Sequence, residues 1–300
     1  MNKLTGGVAV VTGAASGFGL QASRIAAQRG MKVVMADVQA DALAISQHEV
    51  EGLGAEVLPL ELDVSKAAEV EALAHATMKR FGTPTFVFNN AGVGAGGLVW
   101  ENSLRDWEWV IGVNLMGVVH GVRAFTPLML EAAKRDRGWH GHIVNTASMA
   151  GLLNPPNMGV YNVTKHAVVS LSETMYQDLA LITDQVHAHV LCPFFVPTGI
   201  HQSQRNRPPE LAAGKPTRSQ LIGQAMSEKA VTSGKVTAAD VAAKVFEAMD
   251  ERRFYIYSHP KSLVSVQTRL EDIMTPRNPT DPFKDRPEVG DQLRAALRAG

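Results

Sequence analysis

The chain has 300 residues, with 29 Lys plus Arg against 29 Asp plus Glu, and 45% of it is hydrophobic. A neutral chain of this length with no basic cluster excludes nucleic acid as a main partner and has ample material for a core. The single Cys192 excludes an internal disulfide framework and fits a reduced compartment, and no Cys/His spacing suggests a metal site.

The N-terminal stretch MNKLTGGVAVVTG is too short and too interrupted for a signal sequence, and no run of apolar residues reaches membrane-spanning length. A soluble cytoplasmic protein with no membrane partner is the expectation. Residues 7–12, GVAVVT, form a continuous apolar, β-branched run. The same pattern returns at 31–36, 55–62, 85–90, 141–148 and 187–193, and RFYIYS at 253–258 suggests a seventh strand. Runs apolar on both faces suit strands buried on both sides. Helical periodicity fills 17–30, 39–52, 66–82, 105–134 and 161–183. Strand–helix alternation of this kind predicts a single-domain, Rossmann-type α/β fold, a doubly wound parallel sheet with helices on both faces. Ligands then bind along the edge formed by the strand C-termini.

The first turn, TGAASGFG from Thr12 to Gly19, carries Gly13, Gly17 and Gly19, together with Ser16 and Phe18, directly between strand and helix. Glycines there let the backbone approach a phosphate, and the helix N-terminus favours its charge. The literal GxGxxG from Gly92 to Gly97 is a decoy, because no helix begins until about Ser103. The second strand ends at Asp37, placed to accept ribose hydroxyls and to repel a 2′-phosphate. Asp37 could instead cap the helix near Gln39. Ser148, Tyr161 and Lys165 lie in one stretch, and Tyr161 and Lys165 share a helical face. A second Tyr-x-x-x-Lys pair, Tyr257 and Lys261, has Pro260 before the Lys and reads as a strand end.

Taken together, TGAASGFG, Asp63–Val64, NNAG at 89–92, Asn114, Ser148 and YNVTK at 161–165 resemble the short-chain dehydrogenase/reductase family over roughly residues 5–260. The resemblance implies that Asp63 and Val64 hold an adenine, and that Asn90, Ala91 and Gly92 line the cofactor cleft. It makes Ser148 a hydrogen-bond partner of the substrate oxygen and Tyr161 the proton donor or acceptor. Lys165 would bind the nicotinamide ribose and lower the Tyr161 pKa, while Asn114 would hold a water linking Lys165 to solvent. After the sixth strand the family has Pro-Gly followed by Val and Thr. Here Pro193, Val196 and Thr198 keep register, but Phe194 stands at the glycine position, so a reshaped loop is expected.

Met149, Leu152, Leu153, Phe194 and Phe195 are expected to wall an apolar substrate pocket. Residues 198–235 read as a lid inserted in a catalytic domain of residues 1–260, with Arg205 and Arg207 read as solvated surface or, alternatively, as partners of a carboxylate or phosphate. Residues 261–300 form an extension expected to lie on that lid or on a neighbouring subunit; SLVSVQTRLEDIMT within it looks amphipathic, the proline-punctuated stretch TPRNPTDPFKDRPEVG after it is not expected to be helical, and a last short helix is expected to follow. The expected activity is an NAD-dependent alcohol dehydrogenase or ketoreductase, with NADP less favoured, acting on a bulky apolar or aromatic alcohol/ketone pair. The resemblance also implies a homodimer or homotetramer. The alternatives are a silent NAD(H) sensor and a family enzyme of another reaction type, an epimerase or dehydratase.

Overall fold

The computed structural model describes residues 4–212 and 214–299; the ends of the expected spans at 1–3 and 300, and position 213 of the expected lid, lie outside the described residues. The strands are β1 (Val8–Thr12), β2 (Lys32–Asp37), β3 (Val57–Glu61), β4 (Phe86–Asn89), β5 (Gly141–Thr146), β6 (Val186–Cys192) and β7 (Tyr255–Tyr257). They form one seven-stranded sheet in the order β3-β2-β1-β4-β5-β6-β7, parallel throughout.

Alternate strand residues feed two cores. Ala9, Val11, Val33 and Met35 pack with α1 (Gly17–Gln28), α2 (Ala40–Glu51) and α8 (Ala238–Glu251). Val8, Val10, Val34 and Ala36 pack with α3 (Ala67–Phe81), α5 (Gly117–Arg135) and α6 (Gly159–Ile182). Each fully buried Val or Phe contributes roughly 1.5–3 kcal/mol, so the uninterrupted apolar strands need helices on both faces. The helix α8 has no counterpart in the sequence reading above. Its start is written in a capping box, Thr237 with Asp240, and its apolar residues Val241, Val245, Phe246 and Met249 bury against α1.

The long helix expected over 105–134 is three pieces: α4 (Leu104–Ile111), a π-turn (Gly112–Met116) and α5. The π-turn inserts an extra residue at Asn114, turning its side chain inward, where it is fully buried. The run from Leu104 to Arg135 is long and apolar enough to cross a membrane by length and composition, contrary to the sequence reading. In the fold its elements pack against α3, α6 and strands β4, β5 and β6.

Beyond β6 come two short 3₁₀ segments, Gly199–Asn206 and Pro209–Leu211, then α7 (Arg218–Thr232). The amphipathic tail stretch is α9 (Leu263–Met274). The proline-punctuated segment is non-helical only as far as Arg286. Pro287 opens α10 (Pro287–Arg298), because proline lacks only an N–H that the first helical turn leaves unpaired anyway. Helix α10 packs on α7.

At the N-terminal ends of β5 and β6 lie four histidine rings, His140, His142, His187 and His189, with neighbouring centroids 5.2–6.1 Å apart. The His189 Nδ1 faces the Arg253 carbonyl at 2.7 Å and must donate, so its Nε2 accepts from the His142 Nδ1, 3.0 Å away. Burial holds both rings well below the ordinary imidazole value, so both are neutral near pH 7 and this tautomer pair fits.

Candidate active site

The strand C-termini open into one cleft, and its floor begins at the first turn. Gly13 has φ +65°, and a Cβ on Gly19 would lie 2.1 Å from the Gly13 carbonyl oxygen. Gly19 thus lets α1 close onto the turn and does not itself line the cleft, whereas Gly13, Ser16, Gly17 and Phe18 do. Helix α1 starts without a side-chain cap from Ser16 and without an acid in its first turn. Its N-terminal N–H groups and positive dipole end are directed at the cleft with no internal anion.

Asp37 ends β2 in the same cleft. Its Oδ2 accepts from the Ala15 N–H and its Oδ1 from the Gln39 N–H, each at 3.0 Å. The carboxylate therefore serves both readings of the sequence: it braces the turn before α2 and faces the cleft. Asp63 and Val64 follow β3 and line the cleft, held by the Ser65 N–H on Asp63 Oδ1 and by His120 on the Val64 carbonyl. Asn90, Ala91 and Gly92 form the next wall. The Asn90 amide donates to the Thr12 and Gly13 carbonyls, and Asn89 bonds Asn145 across β4 and β5, so the Asn pair ties the central strands to the first turn.

Tyr161 and Lys165 rise from the first turns of α6 into this cleft, 8% and 2% exposed. The Ser148 hydroxyl hydrogen-bonds Tyr161, but burial dominates and pushes the phenol up to about 12. Burial also lowers Lys165, to about 8. The ammonium is 5.6 Å from the Tyr161 ring centroid and donates to the Thr146 carbonyl at 2.9 Å. The expected lowering of the phenol by Lys165 is therefore not met in this arrangement. Asn114 lies behind the wall. Its amide is taken by the Val93 backbone, accepting at 2.8 Å and donating at 3.0 Å, and by Thr164 at 3.3 Å. What the side chain holds here is the Val93 strand exit.

Pro193 and Thr198 line the cleft, but Val196 is 3% exposed inside the core beside α1 and α8. The expected substrate wall is also displaced. Met149 is 1% exposed, and Leu152 and Leu153 pack with it on Val168 and Val169 of α6. The cause is Gly151, whose missing Cβ would lie 2.5 Å from the Lys165 carbonyl oxygen, so the turn after Ser148 sits directly on the α6 backbone. Phe194 packs edge to face on Phe195 at 4.7 Å and on His259 at 5.8 Å, and neither phenylalanine lines the cleft. The Phe194 position has no positive φ, and its N–H donates to Ser258 at 2.8 Å. The loop therefore accepts a side chain where a glycine was expected.

Sequence reasoning missed Trp109, Val113 and Thr146 in the cleft wall, while Ile200, Ser203 and Arg205 belong to the segment after Thr198 that was expected to face the pocket. Thr146 ends β5, so the strand-end rule could have found it, and Val113 adjoins Asn114 in the π-turn. The segment 198–211 carries no periodic signal. It crosses the cleft as a strap: Ser203 accepts the Gly94 N–H at 2.8 Å, and Arg207 pairs with Asp106 at 2.6 Å. Arg207 was expected on solvated surface. Its side chain is only 5% exposed, over the Trp109 ring, because Asp106 neutralises it. Burial would raise Asp106, but hydrogen bonds from Arg207 and Ser103 hold it below the usual carboxylate value. Tyr257 ends β7 and Lys261 lies in a separate 3₁₀ turn, so the second Tyr/Lys pair shares no helix.

The family model of short chain dehydrogenases matches residues 7–209. A short chain dehydrogenase/reductase from Burkholderia phymatum, crystallised in complex with NAD, is 53% identical and superposes with a TM-score of 0.91, covering 94% of this chain and 99% of that one. The CLA biosynthesis dehydrogenase/reductase of Lactiplantibacillus plantarum is 35% identical, over 89% of this chain and 93% of the relative. The 1-deoxy-11-beta-hydroxypentalenate dehydrogenase of Streptomyces exfoliatus is 33% identical, over 88% and 87%.

Proposed function

This chain belongs to the short-chain dehydrogenase/reductase family and is an oxidoreductase, and from that premise we propose that it interconverts a secondary alcohol and a ketone on a bulky, apolar or aromatic substrate, using NAD(H) in preference to NADP(H), with Tyr161 as the acid and base. The observation that carries the proposal is a buried Tyr161, bonded by Ser148 and one turn from Lys165, in the same cleft as the uncapped N-terminus of α1.

The residues present fit a nicotinamide dinucleotide. Gly13, Ser16, Gly17 and Phe18 would hold its diphosphate, Asp37 its adenosine ribose, Asp63 and Val64 its adenine. Lys165, Pro193 and Thr198 line the end where Tyr161 stands. When bound, the cofactor supplies or accepts the hydride. Ser148 would orient the substrate oxygen through its hydroxyl. Tyr161 Oη would pass its proton to that oxygen in reduction and take it back in oxidation. A phenol held near 12 is protonated at neutral pH, which favours the acid role and the reductive direction. Oxidation needs the phenolate and gains as pH rises.

Asp37 supports NAD because a carboxylate there repels a 2′-phosphate, and Val38 after it brings no positive charge. The apolar cleft residues Val93, Trp109, Val113 and Ile200 support a hydrophobic substrate, as do relatives named for a hydroxypentalenate. Exposed Val163, Tyr176, Leu181 and Ile182 on α6 support self-association into a dimer or tetramer. The Phe194 loop, with no positive φ, gives no support to a silent sensor.

The test is a panel of aromatic and alicyclic ketones with NADH and with NADPH, followed by loss of reduced-cofactor absorbance, with Tyr161→Phe as control. Turnover with NADH that disappears in the variant is expected. Full turnover by Tyr161→Phe, or a clear preference for NADPH, would sink the corresponding half of the reading.

A further inference from the structure

The strap over the cleft carries two arginines with different surroundings. Arg207 is buried and neutralised by Asp106. Arg205 is exposed at the cleft mouth, and its partners are uncharged oxygens: Gln39 Oε1 at 3.0 Å, the Gly199 carbonyl at 3.0 Å and Gln202 Oε1 at 3.5 Å. Among the described residues no carboxylate pairs with it. Those contacts fix where the guanidinium sits. Gln39 is two residues beyond Asp37, and Gly199 follows Thr198, whose methyl lies 3.4 Å from where a Gly17 Cβ would be. Gly17, Asp37, Gln39, Thr198, Gly199 and Arg205 all line the one cleft. A positive group therefore sits between the first turn of α1 and the end of β2, carried by a segment remote in sequence from both.

We propose that Arg205 is a cofactor-phosphate ligand, delivered by the strap to the space between the first turn and the end of β2. This rests on the reading of the cleft as a dinucleotide site. The physical argument is charge balance and preorganisation. The first turn offers a phosphate backbone N–H groups but no cationic side chain; Ser16 and Phe18 supply none. Nε and Nη1 of Arg205 are engaged by the Gln39, Gly199 and Gln202 oxygens, and Nη2 remains unspent as a charged donor for a phosphate oxygen. Three oxygens already restrict the side chain, so little rotamer freedom is left to lose on binding. Two phosphates are chemically equivalent candidates: the diphosphate common to both nicotinamide cofactors, and the 2′-phosphate of NADP(H). For the latter, Arg205 would supply from the strap the charge that Val38 does not supply after β2.

The experiment measures dissociation constants of NADH, NADPH, ADP-ribose and adenosine for wild type, Arg205→Gln and Arg205→Lys, by calorimetry and nucleotide fluorescence at two salt concentrations. Losing a charged hydrogen bond at a solvent-facing site is expected to weaken NADH and ADP-ribose about tenfold in Arg205→Gln, to leave adenosine unchanged, and to reduce the salt dependence. Arg205→Lys should recover part of the loss. Weakening confined to NADPH assigns the residue to the 2′-phosphate instead of the diphosphate. Unchanged affinity of Arg205→Gln for NADH, NADPH and ADP-ribose, with an unchanged thermal midpoint, overturns the assignment and leaves the cofactor reading standing. A wild type that binds none of the dinucleotides removes both.

Discussion

The β5–β6 pair buries titratable groups at both ends, with opposite consequences. At its C-terminal end Tyr161 and Lys165 are shifted by burial but open into a cleft with Ser148 beside them. At its N-terminal end His142 is lowered to about 2 and His189 to about 4, also by burial first, yet neither lines the cleft. A shifted pKa alone therefore does not mark chemistry. What separates the two ends is access: a group at the cleft can hand its proton to something, and a group sealed by its neighbours can only charge the fold for protonation.

The largest effect that would break this comparison is at Tyr161. Replacement by Phe should lower turnover about 10³-fold, read as single-turnover ketone reduction, while NADH affinity stays within a few fold. The same variant should hardly change neutral-pH stability, because the lost hydroxyl bond is worth about 1 kcal/mol. Full activity in Tyr161→Phe would make the cleft end as silent as the histidine end.

Stability against pH sharpens the contrast next. His142 and His189 are held neutral in the fold, below the ordinary 6.5, so the unfolded chain binds protons first. Their contribution is complete above pH 6.5 and is lost as pH falls, toward about 4 for His189 and about 2 for His142, by up to about 1.4 kcal/mol per pH unit for each ring. Tyr161 is shifted the other way: folding favours its protonated form, so its contribution is lost as pH rises from about 10 to about 12. Urea midpoints across pH should show both flanks. His142→Phe should flatten the acid flank without altering turnover per folded molecule, and Tyr161→Phe should flatten the alkaline one. An acid flank unchanged in His142→Phe would remove the histidine chain from the argument.

The smallest expected effect is at the loop that keeps a side chain in place of glycine. Phe194→Gly loses edge-to-face contacts with Phe195 and His259, each worth about 0.5–1.5 kcal/mol at most for a ring 42% exposed. A slightly lower thermal midpoint with unchanged NADH affinity is expected, and a tenfold change in that affinity would put Phe194 in the cofactor wall after all.

The same divide explains what could be read from the residues alone. The parallel sheet and the residues that meet in the cleft were legible because each feature is local: a glycine turn between one strand and one helix, an acid at a strand end, Tyr and Lys one turn apart. The substrate side was not. Met149, Leu152 and Leu153 are apolar whether they face a pocket or a core, and Gly151 decides for the core through a contact with a backbone remote in sequence. Val196 has the same ambiguity. The strap was illegible for another reason. Its placement depends on Arg207 finding Asp106 about a hundred residues away, and composition alone reads such a pair as two solvated charges. The π-turn at Asn114 has no sequence period of its own and emerges only when the side chain is seen turned onto Val93.

Gly151 has a consequence for anyone redesigning this protein. With Gly151 seated on the carbonyl of Lys165, the turn after Ser148 packs directly on the backbone of the helix that carries Tyr161, with no room for a side chain between them. Loop grafting that replaces residues 149–153 would transplant the footing of Tyr161 and Lys165 along with the sequence. Exchange is better confined to residues 154–158, where the chain leaves that contact and Asn157 turns it with φ +63° while holding Ser219 of α7.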